Sequence, residues 1–138
     1  MSTSEKHAIG VKTIDHVTII VKDIERSSQF YTNVLGMTPV PRPNFGFPGA
    51  WFQAGDTQVH LILESDNAGT AGIGPFDGLD PSVGFHYAFA VEDCHAAAAQ
   101  LKEHGLELVV GPRDRPDGVS QVYVYDPDGH LIELCSGP

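Results

Sequence analysis

Asp15-His16-Val17-Thr18-Ile19-Ile20-Val21-Lys22-Asp23 and Phe85-His86-Tyr87-Ala88-Phe89-Ala90-Val91-Glu92-Asp93 are two versions of one pattern. Each alternates with the period of a strand, carries a histidine at its second position and ends on an aspartate. Laying 14–40 over 84–110 preserves the match without a gap, which marks an internal duplication. The aspartates are N-cap residues by type, because a carboxylate accepts from the unpaired N–H groups of a helix start. Asp23 leads into a segment running to Leu35, with Ile24, Phe30, Tyr31, Val34 and Leu35 near helical spacing and Gly36 as a left-handed stop. Asp93 leads through Ala96 to Leu101, and Gly105 closes that helix. Period two then returns near 37–42, 49–54 and 57–64, and again near 106–111, 119–125 and 130–135. The turn sequences Gly55-Asp56 and Asp126-Pro127-Asp128-Gly129 introduce the last strand of each half. The expected fold is α+β, two βαβββ modules pairing into a curved sheet around a metal-binding cavity.

Module one spans about 13–64 and module two about 82–136, joined by a Gly-, Asp- and Pro-rich linker or lid at 65–81. Together they form a single domain over 11–138, preceded by a flexible polar tail at 1–10. A chain of 138 residues with 41% hydrophobic content has the size of one ordinary core. Eight Lys and Arg against eighteen Asp and Glu give a formal charge of -10, which repels phosphate backbones and anionic membrane surfaces. Nucleic acid and membranes are therefore not expected partners, and no apolar run approaches the roughly 20 residues of a bilayer span. Cys94 and Cys135 are far apart and in no CxxC arrangement, so reduced thiols and a cytoplasmic setting are expected.

Strand parity then selects candidate ligands. His16 shares a face with Thr18 and Ile20, opposite the apolar Val17, Ile19 and Val21. His86 shares a face with Ala88 and Ala90, opposite Phe85, Tyr87, Phe89 and Val91. On the fourth strand His60 lies with Gln58 and Ile62, and on the eighth Glu133 lies with Leu131 and Cys135. A metal-competent side chain thus stands at one place on the first and last strand of each half. If the halves pair about a pseudo-twofold axis, His16, His60, His86 and Glu133 converge. Three imidazoles and a carboxylate suit one divalent ion per site, Fe, Mn, Ni, Co or Zn, and leave positions for water or substrate. His7, His95, His104 and His130 fit no such position.

The chain resembles the vicinal oxygen chelate superfamily, the glyoxalase, bleomycin-resistance and extradiol dioxygenase group. The likeness is carried by Ile14-Asp15-His16-Val17, by Phe30 to Met37, by Pro48-Gly49-Ala50-Trp51-Phe52, by Val59-His60-Leu61 and by Asp126 to Leu134. It covers about Thr13 to Ser136. The resemblance implies a metal held by the first, fourth, fifth and eighth strands, which again are His16, His60, His86 and Glu133, and it implies a homodimer. Glyoxalase I usually has Glu at the fourth-strand position and methylmalonyl-CoA epimerase has Gln, where this chain has His60. Ring-cleaving dioxygenases and fosfomycin-resistance enzymes use a His, His, Glu triad matching His16, His86 and Glu133.

Three functions follow as expectations. The leading one is a divalent-metal-dependent, glyoxalase-like lyase or isomerase acting on a small oxygenated substrate, in which the ion stabilises an enediolate and Glu133 alternates between ligand and base. The second is an Fe(II) extradiol-type dioxygenase. The third is a small-molecule or drug-binding resistance protein walled by Phe45, Phe47, Trp51 and Tyr123. Trp51, Gln121, Tyr123 and Arg115 are the expected substrate-binding residues, with Arg113 beside Arg115 as a second cation for an anionic group.

Overall fold

The structure, a computed structural model, describes residues 8–72 and 78–138. Most of the expected tail, and 73–77 in the middle of the expected linker, lie outside the described residues. The first half contains β1 (His16–Val21), α1 (Ile24–Gln29), β2 (Thr38–Val40), β3 (Gly49–Ala54) and β4 (Thr57–Leu63). The second contains β5 (Tyr87–Ala90), α2 (Cys94–Glu103), β6 (Val110–Asp114), β7 (Ser120–Tyr125) and β8 (Leu131–Ser136). The order is βαβββ twice, and the class is α+β, as the duplication implied. Each half forms its own four-stranded mixed sheet, ordered β1-β4-β3-β2 and β5-β8-β7-β6. The first and last strands of each module run parallel, and the other pairs are antiparallel.

Both helices start where carboxylates can cap them. Asp23 accepts from the backbone N–H of Arg26 at 3.0 Å, and Asp93 accepts from His95 and Ala96 at 3.0 and 3.2 Å. The first helix does not continue as an α-helix to Leu35. From Phe30 to Val34 it widens to a π-turn, with Leu35 N–H donating to Phe30 O at 3.0 Å. The widening lets the adjacent rings of Phe30 and Tyr31 both enter the core, at 6% and 0% exposure. Gly36 then supplies the stop at φ 74°.

Two other expectations shift. The strand expected near 106–111 forms instead at Val110–Asp114, with an irregular register between Val110 and Arg113. Leu106 and Leu108 pack against the core without entering the ladder, so their apolar spacing imitated a strand. Phe85 was expected on a buried face but is 68% exposed, because β5 begins only at Tyr87 and strand parity does not govern residues before it.

One contiguous apolar cluster serves both halves. Val21, Tyr31, Phe52 and Leu61 join Cys94, Leu101, Val122 and Ile132 in it. Polar ties cross the same junction: the Tyr31 hydroxyl donates to Asp126 at 2.7 Å, and Arg26 and Ser27 bind Asp128 at 2.9 and 3.2 Å. The shared core takes the apolar face of each sheet. The opposite face of each sheet, with its histidine, is turned away from it.

Candidate active site

The two halves build matching rows. In the first sheet Thr18 of β1, His60 of β4 and Trp51 of β3 are register partners. In the second, Ala88 of β5, Glu133 of β8 and Tyr123 of β7 are partners in the same way. His16 precedes its row by two residues and so does His86, although His86 stands just ahead of the β5 ladder. The equivalence between the imidazole of His60 and the carboxylate of Glu133 therefore holds at the level of backbone register, beyond sequence offset.

In the first half these side chains open onto a cleft of about 570 Å³, lined by His16, Thr18, Arg42, Trp51, Gln58 and His60 among others. Trp51, His60 and His16 form a stack, with centroids 4.1 and 4.0 Å apart and planes within 7° and 14°. His16 turns Nδ1 to the Asp15 carboxylate at 2.8 Å, which orients the ring and leaves Nε2 for a cation, the usual outer support of a metal-binding imidazole. His60 differs. Its Nε2 meets Gln58 Oε1 at 2.7 Å, while the Gln58 amide nitrogen donates to Gln53 at 2.8 Å. His60 Nε2 thus carries a hydrogen. Burial, and next the His16 ring beside it, hold the His60 pKa below its ordinary value and keep the ring neutral.

In the second half Glu133 is 5% exposed and receives three partners. The Tyr123 hydroxyl donates to Oε1 at 2.9 Å, the Gln121 amide donates to Oε2 at 3.0 Å, and His86 Nε2 lies 3.1 Å from Oε1. Burial, followed by the bond to Glu133, pushes the Tyr123 pKa up, so the phenol stays a donor. The other nitrogen of His86, Nδ1, faces the Gly84 carbonyl at 2.9 Å. A carbonyl only accepts, so Nδ1 bears a hydrogen, and Nε2 then needs either its own proton or a cation shared with Glu133. A half-buried imidazole beside a buried carboxylate offers donor types that a divalent ion takes. The residues fit a metal.

The four candidate ligands come together in pairs. His16 adjoins His60, and His86 adjoins Glu133. Among the described residues no group of three His, Cys, Asp or Glu side chains is placed to hold one ion. Among the described residues the four do not converge within one chain, because each pair sits on the face of its own sheet away from the common core. Trp51 lines the first cleft, whereas Gln121 and Tyr123 hold Glu133. Arg115 is not at either pair: it closes a turn through two bonds to Asp117. Its neighbour Arg113 takes the place expected for it, reaching Gln121 Oε1 at 3.4 Å and lying 5.8 Å over the Tyr123 ring. The reading by residue type passed over Arg42 and Gln58. A lone arginine between Pro41 and Pro43, just ahead of Phe45 and Phe47, was the available signal.

A family model described as Glyoxalase/Bleomycin resistance protein/Dioxygenase superfamily matches residues 13–134. The chain is 32% identical to "Probable lactoylglutathione lyase" of Synechocystis over 86% of this chain and 91% of that protein. It is 31% identical to "Glutathione transferase FosA" of Serratia marcescens over 92% of this chain and 82% of that one. A Bacillus anthracis crystal structure ascribed to the glyoxalase family superposes with a TM-score of 0.76 at 26% identity, covering 96% of this chain and 100% of that one.

Proposed function

Because the chain belongs to the Glyoxalase/Bleomycin resistance protein/Dioxygenase superfamily, we propose that it is a divalent-metal-dependent lyase or isomerase acting on a small oxygenated substrate. The observation that carries the reading is the matched rows: Thr18–His60–Trp51 and Ala88–Glu133–Tyr123, each with an imidazole two residues ahead. In this reading His86 and Glu133 of one chain meet the partner subunit's His16 and His60 in a homodimer, since neither pair alone fills a coordination sphere. His60 joins by releasing Gln58. The ion is Fe, Mn, Ni, Co or Zn, and when bound it supplies Lewis-acid stabilisation to an oxygen that gains negative charge during the reaction.

The chain's own residues do the rest. Glu133 takes a proton from a carbon next to a substrate oxygen, with Tyr123 and Gln121 fixing which carboxylate oxygen is presented. Trp51 and the first cleft hold the apolar part of the substrate. The relative named as a lactoylglutathione lyase supports the lyase reading. Cys94 and Cys135 are both free thiols, in keeping with a cytoplasmic setting.

The test is to load the purified chain with each of these metals, count ions bound per chain, and assay α-hydroxycarbonyl and hemithioacetal substrates. The expected result is one ion per chain, turnover only when loaded, and metal affinity lowered about tenfold or more in His86→Ala and Glu133→Ala. Equal metal binding by wild type and both variants would refute the site.

A further inference from the structure

The loop between β2 and β3 carries a cation that the metal reading does not use. Of the four arginines, Arg26 binds Asp128, Arg113 binds Gln121 and Ser82, and Arg115 binds Asp117. Arg42 has no carboxylate partner among the described residues, and its Nε is buried without a hydrogen-bond partner. An orphaned buried donor is costly unless a ligand or water satisfies it. Arg42 is nevertheless held in place. Its guanidinium carbon lies 4.9 Å over the Phe45 ring and 5.0 Å over the Phe47 ring. Gly49 leaves room for it, since a Cβ there would come within 2.9 Å of both Cζ and Nε.

With its carbon over two neighbouring aromatic rings, the guanidinium keeps N–H groups to offer to the oxygens of an oxyanion. Arg42 is also the one Lys or Arg lining the His16–His60 cleft. The other wall is flat and apolar: Trp51 stacks on His60, and Phe45 lies 6.0 Å from Trp51. The chain carries a formal charge of -10, and Asp15 and Asp56 line the same cleft, Asp15 with its carboxylate turned to His16, so Arg42 is the one lining cation that an anion entering there can meet. We infer that the cleft takes a small organic oxyanion, a carboxylate or phosphonate bearing a flat apolar portion, and that Arg42 binds its charged end. This names the substrate class of the proposed function and rests on reading that cleft as the substrate chamber.

Trp51 is the single tryptophan and lies in the cleft, so its emission reports occupancy. The purified full chain, with no metal added, is titrated with benzoate, phenylphosphonate and neutral benzyl alcohol. The expected result is saturable quenching, with at least one anion preferred over benzyl alcohol by about tenfold or more; the tighter of the two anions identifies the oxyanion. Arg42→Gln should abolish the preference and Arg42→Lys should keep part of it, with melting temperatures confirming that the variants are folded. Equal binding of charged and neutral probes, an unchanged preference in Arg42→Gln, or no saturable quenching by either anion overturns the inference. If Arg42→Gln fails to fold, the wild-type comparison of charged with neutral probes and the Arg42→Lys variant still decide it. Because no metal enters the measurement, a chain that selects anions but binds no metal loses only the lyase reading, and the converse loses only this one.

Discussion

Asp126 shows how one buried carboxylate binds separate parts of the chain. It is 4% exposed and accepts from the Tyr31 hydroxyl, from His130 Nδ1, and from the backbone N–H groups of Asp128 and His130. Its replacement leaves several buried donors unpaired at once. Asp126→Ala should therefore cost about 2–4 kcal/mol, read as a lowered midpoint in denaturant unfolding, and a cost under about 0.5 kcal/mol would contradict the network. Strand parity excluded His130 from the candidate ligands. What residue type could not reveal is that it pairs with an aspartate four residues earlier, because that contact depends on the turn between β7 and β8 closing as it does. Cys94 gives a second check. A cysteine at a helix start tends toward thiolate, but burial, helped by the neighbouring Cys135 and Asp93, pushes its pKa up. At neutral pH the native chain should leave Cys94 unmodified by iodoacetamide, with reaction growing only as pH rises or after denaturation; rapid native labelling at pH 7 would contradict its burial.

The elements were legible where one local force dominates. Asp23 and Asp93 named both helix starts because capping is a contact within four residues. For α2 the consequence is measurable: Asp93→Ala removes acceptors for His95 and Ala96 and should cost about 1 kcal/mol, whereas Glu92→Ala, one residue earlier, should cost far less. Equal thermal shifts for the two would show that the cap contributes nothing. Elements misread by sequence are those where packing outranks periodicity. The π-turn at Phe30–Val34 arises from fitting two adjacent rings into one core, which helical spacing cannot express. The sixth strand begins late because Leu106 and Leu108 satisfy their burial against the core without a ladder. Parity placed His60 and Glu133 on matching faces, but their shared row was not readable, because the 70-residue offset that relates His16 to His86 would pair His60 with His130. Nor was Arg42, because its role comes from a loop folding rings onto a guanidinium.

At the scale of the molecule, parity could say which face each candidate ligand occupies but not which sheet faces which. That choice depends on how two modules share a core, and the structure turns both histidine faces outward. The proposed assembly of one metal site from two chains then makes a specific claim about mixtures. His16→Ala and Glu133→Ala each break every site in their own homodimer, but a mixed dimer rebuilds one complete site of its two. Co-refolded in equal amounts, the variants should regain about a quarter of wild-type metal binding, the statistical share for random pairing in a twofold dimer. No recovery would place all the ligands of a site within one chain. The contiguous core has another consequence. Although the halves repeat one βαβββ pattern, Val21, Leu61, Leu101 and Ile132 belong to one apolar body, so neither half can melt and leave the other intact. Calorimetry should record a single heat-absorption peak whose van't Hoff and calorimetric enthalpies agree, and either repeat expressed alone should remain an unstructured chain.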